Sequence, residues 1–380
     1  MNGVATWRGQ VPAWECDPDR RWEPGFLAGA FAEASRIAGA GEAAIRAIEG
    51  QRPVAGALVE IRTEYRDKAL HHLMVELPGG AVVARASGPG QGLLRSGAAS
   101  MPGDASLDAT IDLVGGRECD VMGHMNVQFY AQRVTAAEAM AVAVAGVGDG
   151  AVVRPLEQRY RFAGELRAGD TVASQVMPIG RGAATLRVEI AGGDGRPAAV
   201  VESDLAAADG APIDLSYRFV PPAQETNDPV WSAGDWFPGA TDRERMAILS
   251  RAEVAAWHVD HTGVMPPRFF FDRMAGGVSF LLAGMGLDRP YMLRHGLGRA
   301  AVGYRLRYLR WPRAGDCLEL RSGIGLVRDK TWRFRHVFID LADGEAVCSA
   351  EAVIVLLDLS SRRAVPLPAE IRSRAAALEI

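Results

Sequence analysis

Polar and apolar positions recur along this chain with two different periods. Residues 332–339 alternate: Trp332, Phe334, His336 and Phe338 fall on one side, and Arg333, Arg335, Val337 and Ile339 on the other. A period of two predicts a strand. Comparable runs occupy 57–88, 157–209 and 303–359. Within each, the late strands are separated by a glycine turn: Gly79-Gly80, Asp194-Gly195 and Asp343-Gly344. Asp-Gly between alternating runs predicts a hairpin. A different pattern covers about 127–147. It is rich in alanine, its larger apolar side chains are Phe129, Tyr130, Val134, Met140, Val144 and Val147, and few charges interrupt it. That segment predicts a helix buried on most of its faces. One helix wrapped by a curved antiparallel sheet buries the apolar faces of both.

The same order of elements is found three times. "GQVPAWECDPDRRWEPGFLAGAFAEA", from Gly9, aligns without gaps on "AEVAAWHVDHTGVMPPRFFFDRMAGG", from Ala252. Trp14 meets Trp257, Asp17 meets Asp260 and Phe26 meets Phe269. "CDVMGHMNVQFY" (119–130) fits the same frame, with Cys119 on Cys16 and Val259, Asp120 on both aspartates and Phe129 on both phenylalanines. Downstream, "RAGD" occurs at 167–170 and again at 313–316. The expectation is an α+β chain of three tandem units: 1–104, truncated and degenerate; 105–222, with an intact motif; and 223–380, a linker, a degenerate unit and a tail. In the first unit only "EGQRPVAG" joins helix to hairpin, so the strand that precedes "RAGD" elsewhere is expected to be missing. Glycine- and proline-rich stretches at 87–106 and 221–245 predict linkers, the second docked by Trp231 and Trp236. "PAEIRSRAAALEI" predicts a short amphipathic helix at the C-terminus.

Length and composition narrow the function. A chain of 380 residues exceeds one ordinary core. Hydrophobic residues make up 48% and charged residues 23%, a globular balance. The net charge of −4, with acids and bases interspersed, argues against nucleic acid, which needs a concentrated basic face. Lysine occurs only at Lys68 and Lys330, so arginine carries the positive charge. No stretch reaches the ~18 apolar residues of a membrane span, and the N-terminus lacks a signal-peptide core. A cytoplasmic protein without membrane association is expected. Cys16, Cys119, Cys317 and Cys348 are scattered, which predicts reduced thiols and neither a metal nor a disulfide framework.

Asp120, Gly123, His124 and Asn126, followed by an aromatic and a long helix, form an Asp-x-x-Gly-His-x-Asn motif. This motif resembles the active-site segment of hotdog-fold acyl-CoA thioesterases, most closely the 4-hydroxybenzoyl-CoA thioesterase type. The order of strand, loop, buried helix and antiparallel sheet matches too, which implies three fused hotdog domains. The resemblance implies hydrolysis of an acyl-CoA to free acid and CoA, with no cofactor beyond the CoA of the substrate. It makes Asp120 the general base or nucleophile, because the chemistry needs an ionised carboxylate beside the thioester carbonyl. The ordinary reading of Asp120 is a helix-start or turn aspartate, and Asp17 and Asp260, which share its place, favour that reading, while the other motif residues favour catalysis. Gly123 is expected to take a positive φ or to let backbone approach the substrate. His124 would orient the carboxylate or contact the thioester. Asn126 is a natural N-cap. The backbone amides of Asn126 and Val127, at the positive end of the helix, are the candidate oxyanion donors.

The outer units lack these features. Pro266-Pro267 replaces Asn126-Val127, and Val264 replaces the histidine. In the first unit Arg20, Arg21 and Pro24 stand for Gly123, His124 and Val127. Proline has no N–H to offer, although it suits the first turn of a helix. Both outer units therefore read as inactive in this chemistry. A different polar site built on Asp260, flanked by His258 and His261, is the alternative. Glu138 on the helix is a reserve carboxylate. His71-His72 lie on opposite faces of a strand and read as ordinary. Arg159, Arg161 and Arg181 are candidate phosphate partners that read more simply as solvated surface. In hotdog enzymes the site lies between paired units, and an odd number leaves one face unpaired, so association into a homo-oligomer is expected. Two rivals remain: a hotdog hydratase or dehydratase, and a non-catalytic acyl-CoA binding protein.

Overall fold

A computed structural model describes residues 3–38, 45, 47–89, 106–147, 152–179, 184–208, 213, 215 and 240–380. Arg181, Trp231 and Trp236 lie outside them. The chain divides into two compact units. The first comprises Met1–Arg154, Gly164–Glu225 and Trp257–Arg268; the second comprises Pro155–Ala163, Thr226–Ala256 and Phe269–Ile380. Both are α+β, with a large antiparallel sheet and few helices.

The first unit contains β1 (Val4–Gln10), α1 (Pro24–Ile37), β2 (Ala47–Gly50), β3 (Leu58–Arg66), β4 (Ala69–Glu76), β5 (Ala81–Pro89), β6 (Leu107–Leu113), α2 (Val127–Ala145), the start of β7 (Val153–Phe162), β8 (Thr171–Pro178), β9 (Thr185–Gly192) and β10 (Pro197–Ala207). Its strand order is β10-β9-β8-β6-β1-β3-β4-β5-β2. The edges of β1 and β6 meet antiparallel, with Arg8 opposite Ile111. Trp7, Trp22, Leu27, Phe31, Ile61 and Met74 fill the space between α1 and its sheet. The helix predicted over 127–147 is observed as α2, ended by Gly146 at φ +68°. Its alanines allow close packing, and Ala131, Val134, Ala137 and Ala141 are fully buried.

One expectation needs correcting. The strand thought missing from the first unit's segment is present as β2, shortened to four residues and paired with β5. All four are exposed, so no hydrophobic pattern marks them. The turn after it, at Val54–Ala57, has the geometry of "RAGD". Gly56, Gly169 and Gly315 all have positive φ, at +85°, +89° and +94°. The aspartates of the two "RAGD" copies accept from Arg167 N–H and Arg313 N–H at 2.8 and 2.7 Å. All three turns share one backbone bond, Ala57 N–H to Val54 O at 3.0 Å matching Asp170 N–H to Arg167 O and Asp316 N–H to Arg313 O, and the 54–57 copy, with alanine last, lacks only the side-chain acceptor.

The second unit holds α3 (Ala240–Arg245), β11 (Ala247–Glu253), α4 (Pro267–Met285, from Phe269 on), α5 (Arg289–Arg294), β12 (Leu297–Tyr308), β13 (Cys317–Val327), β14 (Thr331–Asp340), β15 (Ala346–Asp358), β16 (Arg363–Val365) and α6 (Ala369–Ala377). Its order is β11-β13-β14-β15-β12-β7, with β16 on β15. The stretch read as a linker over 221–245 thus ends in helix α3. Alternation in β14 is borne out: Trp332, Phe334, His336 and Phe338 are buried. Val337 and Ile339 are buried too, on the other face, under Met246 and Ile380. The C-terminal helix is present as α6, with Ile371 and Ala375 packed into the core. Both long hairpin turns carry a left-handed glycine, Gly195 at +80° and Gly344 at +76°.

Candidate functional site

Each long helix is preceded by a loop that folds around an aspartate, and all three loops belong to the first unit. In the loop before α2, Asp120 N–H donates to His124 O at 2.8 Å, and Gly123 N–H donates to Asp120 O at 2.9 Å. The Asp120 side chain closes the turn: its Oδ1 accepts from Met122 N–H at 2.8 Å and His124 N–H at 3.2 Å. An aspartate that bonds its own backbone a few residues on is ordinary turn chemistry. Gly123 sits at φ +78°, and nothing lies near the place a Cβ would occupy. Positive φ therefore accounts for this glycine. The corresponding residues are Gly263 at +83° and Arg20 at +60°. For a residue with a side chain that conformation costs roughly 1–2 kcal/mol.

The three aspartates differ at their second oxygen. Asp17 Oδ2 is held by Arg52 at 2.6 Å. Asp260 Oδ2 is held by Arg154 at 2.6 Å, and its Oδ1 accepts from Thr262 N–H and Oγ1. Burial pushes the Asp260 carboxyl up, but the Arg154 charge and the Thr262 bonds outweigh it and keep the group below its ordinary range. Asp120 Oδ2 has no hydrogen-bond or ion-pair partner among the described residues. It stands in an exposed loop whose next residue, Val121, is 99% exposed.

The helix starts differ as well. Asn126 is the N-cap of α2, its Oδ1 accepting from Gln128 N–H at 3.2 Å, as expected. Its own N–H is taken by Glu118 O at 2.8 Å, which removes it as an oxyanion donor. Val127 N–H, at the first helical position, has no acceptor among the described residues. In α1 and α4 that position is proline, Pro24 and Pro267. Only α2 of these three helices opens with a usable amide.

His124 is placed by its neighbours. Its ring Nε2 lies 3.2 Å from Glu165 Oε2 and 3.4 Å from an Arg167 nitrogen. Its backbone bridges that of Arg167. The sequence marked Arg167 as part of a repeated turn and gave Glu165 no role; only the fold brings them to the histidine. Arg268 was likewise missed. Its guanidinium lies 4.6 Å over the Phe129 ring and donates to Gln132 at 2.9 Å.

The remaining candidates are elsewhere. Glu138 is buried on α2. His72 is buried between Ser35 and Thr63 at 2.7 and 2.8 Å, and burial holds its imidazole down at about 4. Arg159 pairs with Glu157 at 2.8 Å, and Arg161 lies on β7 opposite Gly303. Among the described residues no group of three or more His, Cys, Asp or Glu is arranged to hold a metal ion. No helix there is long and apolar enough to cross a membrane.

Residues 254–375 match the family described as the thioesterase-like superfamily. No curated protein matches the chain. Among solved structures, an acyl-ACP thioesterase from Bacteroides thetaiotaomicron VPI-5482 is similar at 10% identity and TM-score 0.47, over 66% of this chain and 96% of that one. The 12:0-ACP thioesterase from Umbellularia californica is similar at 11% identity and TM-score 0.48, over 66% and 93%. A 1,4-dihydroxy-2-naphthoyl-CoA thioesterase from Synechocystis is similar at 16% identity and TM-score 0.30, over 33% and 93%.

Proposed function

We propose that this chain hydrolyses an acyl thioester, an acyl-CoA in the first instance, at a site centred on Asp120. One observation carries the proposal. Of three aspartates in equivalent turns, Asp120 alone keeps a carboxylate oxygen clear of arginine, and it alone precedes a helix that opens with a free N–H. The match of residues 254–375 to the thioesterase-like superfamily supports the reaction type. The recurring order of first strand, loop and long helix supports three fused hotdog units with a single competent loop.

In this scheme Asp120 Oδ2 accepts a proton from water as the water oxygen attacks the thioester carbonyl. Alternatively, Oδ2 attacks directly to form a mixed anhydride, which water then opens. The carbonyl oxygen gains negative charge, for which Val127 N–H is the proposed donor. The C–S bond breaks and the thiolate leaves; thiolates leave without a strong acid. The proton held by Asp120 returns to solvent. Oδ1 stays in the turn and fixes the direction of the carboxylate. His124, tied to Glu165 and Arg167, braces the far side of the loop.

Thiol release from a panel of acyl-CoA and acyl-carrier-protein thioesters, wild type beside Asp120→Asn, tests this. Release by the wild type that is lost in the variant is the expected result, and the panel orders the acyl groups. Hydration of an unsaturated acyl-CoA without thiol release would make the chain a hydratase. Saturable binding without turnover would make it a binding protein.

A further inference from the structure

We propose that Glu165 is a positioning residue for Asp120: it fills, with an acid, the place from which an arginine would clamp that carboxylate. The inference rests on the reading of Asp120 as the reactive group and adds the residue that keeps it available.

The first two loops can be laid on each other bond by bond. Asp17 N–H donates to Arg21 O at 2.9 Å, as Asp120 N–H donates to His124 O at 2.8 Å. Trp22 N–H then donates to Pro53 O, and Met125 N–H to Leu166 O, both at 2.8 Å. Arg21 bridges Val54 as His124 bridges Arg167. Each loop is thus pinned to the segment that leads into a glycine turn, at Gly56 or Gly169. In this frame Pro53 matches Leu166. The residue before it is Arg52 in one segment and Glu165 in the other.

The two side chains start from the same place and end differently. Arg52 reaches across to Asp17 Oδ2 at 2.6 Å. A side chain from this position is therefore aimed at the loop aspartate. Glu165 carries the wrong charge to follow it, and its Oε2 lies 3.2 Å from His124 Nε2 instead. Two carboxylates repel each other, so an acid here leaves Asp120 Oδ2 unclaimed and finds its partner in the imidazole. In the third repeat the register of "RAGD" gives this place to Trp311, which has no charge. The clamp on Asp260 comes from Arg154 instead. Of the three aspartates, the one with an unclaimed oxygen is the one whose loop meets an acid at this position.

Glu165→Arg gives the second loop the clamp of the first. Arg52 and Glu165 are both partly exposed, so the new pair should be modest in strength. Thiol release should show kcat lower by about fivefold at low salt, with KM little changed. Raising the salt should restore most of the loss, because salt screens an exposed pair and does not repair a misfolded loop. Glu165→Gln, uncharged and of the same length, should stay near wild type. A crystal structure of Glu165→Arg reads the clamp without reference to activity, and the new guanidinium should lie on Asp120 Oδ2. A wild type that releases no thiol would end the reading of Asp120, and the structure alone would then judge the clamp. A guanidinium that leaves Asp120 Oδ2 unclaimed would overturn the proposal. So would a loss of turnover in Glu165→Arg that salt does not reverse, or one that Glu165→Gln shows equally.

Discussion

Three loops in the first unit share a backbone and differ in how their aspartate is held. Asp17, Asp120 and Asp260 each take turn amides on Oδ1, and a residue with positive φ follows each of them. Arg52 and Arg154 then claim the second oxygen of Asp17 and Asp260. The difference separates two uses of one residue. With both oxygens engaged, the aspartate is a structural fastener. With one engaged and one free, the turn fixes the direction of an oxygen that no neighbour claims, and this is the oxygen proposed to react. Persistence of aspartate in all three loops is explained by the turn; the role proposed for one of them rests on what its neighbours leave undone.

The comparison is broken or sharpened first at Asp120. Asp120→Asn keeps an oxygen for Met122 and His124 N–H, so the loop should fold and melt as before. Thiol release should fall about 10²–10⁴-fold, the usual worth of a general base. The matching substitution Asp260→Asn should leave turnover per folded molecule unchanged. The reverse outcome would move the site to the third loop, inside the 254–375 segment that matches the thioesterase-like superfamily.

Val127→Pro gives α2 the helix start of α1 and α4. Proline is tolerated at this position, so helix content by circular dichroism should hold. Loss of one oxyanion donor should lower kcat by about 10²–10³-fold with little change in KM. An unchanged kcat would remove Val127 from the mechanism and leave Asp120 untouched.

Arg154→Ala examines the fastener. Both partners of the Arg154–Asp260 pair are largely buried, and stranding a buried carboxylate costs about 3 kcal/mol or more. Denaturant unfolding should show that loss. No activity should appear at Asp260, since α4 still starts with Pro267. A buried acid gives a smaller effect, visible as a pH slope. Burial, and then the neighbouring Asp112, push the Glu33 carboxyl up to about 9 from 4.5. The folded chain therefore keeps a proton that the unfolded chain releases, and stability should fall as pH rises between those values. Glu33→Gln stays uncharged throughout and should flatten that slope in melts across this range.

Much of this was visible in the sequence, because long helices and alternating strands leave periodic traces. The motif loop was legible for the same reason: Asp120, Gly123 and Asn126 are residue types that turns and caps select. β2 was not legible, since four exposed residues carry no hydrophobic pattern. Nor were Arg52, Arg154 and Glu165, whose roles depend on contacts across long stretches of chain. The partner that holds Asp260 lies 106 positions away from it. Asn126 N–H was misjudged because a helix start does not reveal that a preceding carbonyl, Glu118 O, already uses the amide.

The smallest effect distinguishes the loops by their backbone. Arg20 holds at φ +60° the place that Gly123 holds at +78°, and its guanidinium also donates to His261 O at 2.5 Å. Arg20→Ala should lose that bond and keep the left-handed strain. Arg20→Gly should lose the same bond but relieve the strain, so it should be the more stable of the two by about 1 kcal/mol. Gly123→Ala should move the other way, destabilising by about the same amount, because nothing crowds a Cβ there and only φ resists it. Equal stability of the two Arg20 variants would mean that the loop before α1 has relaxed out of the shared turn. The likeness between the loops would then be one of sequence position alone.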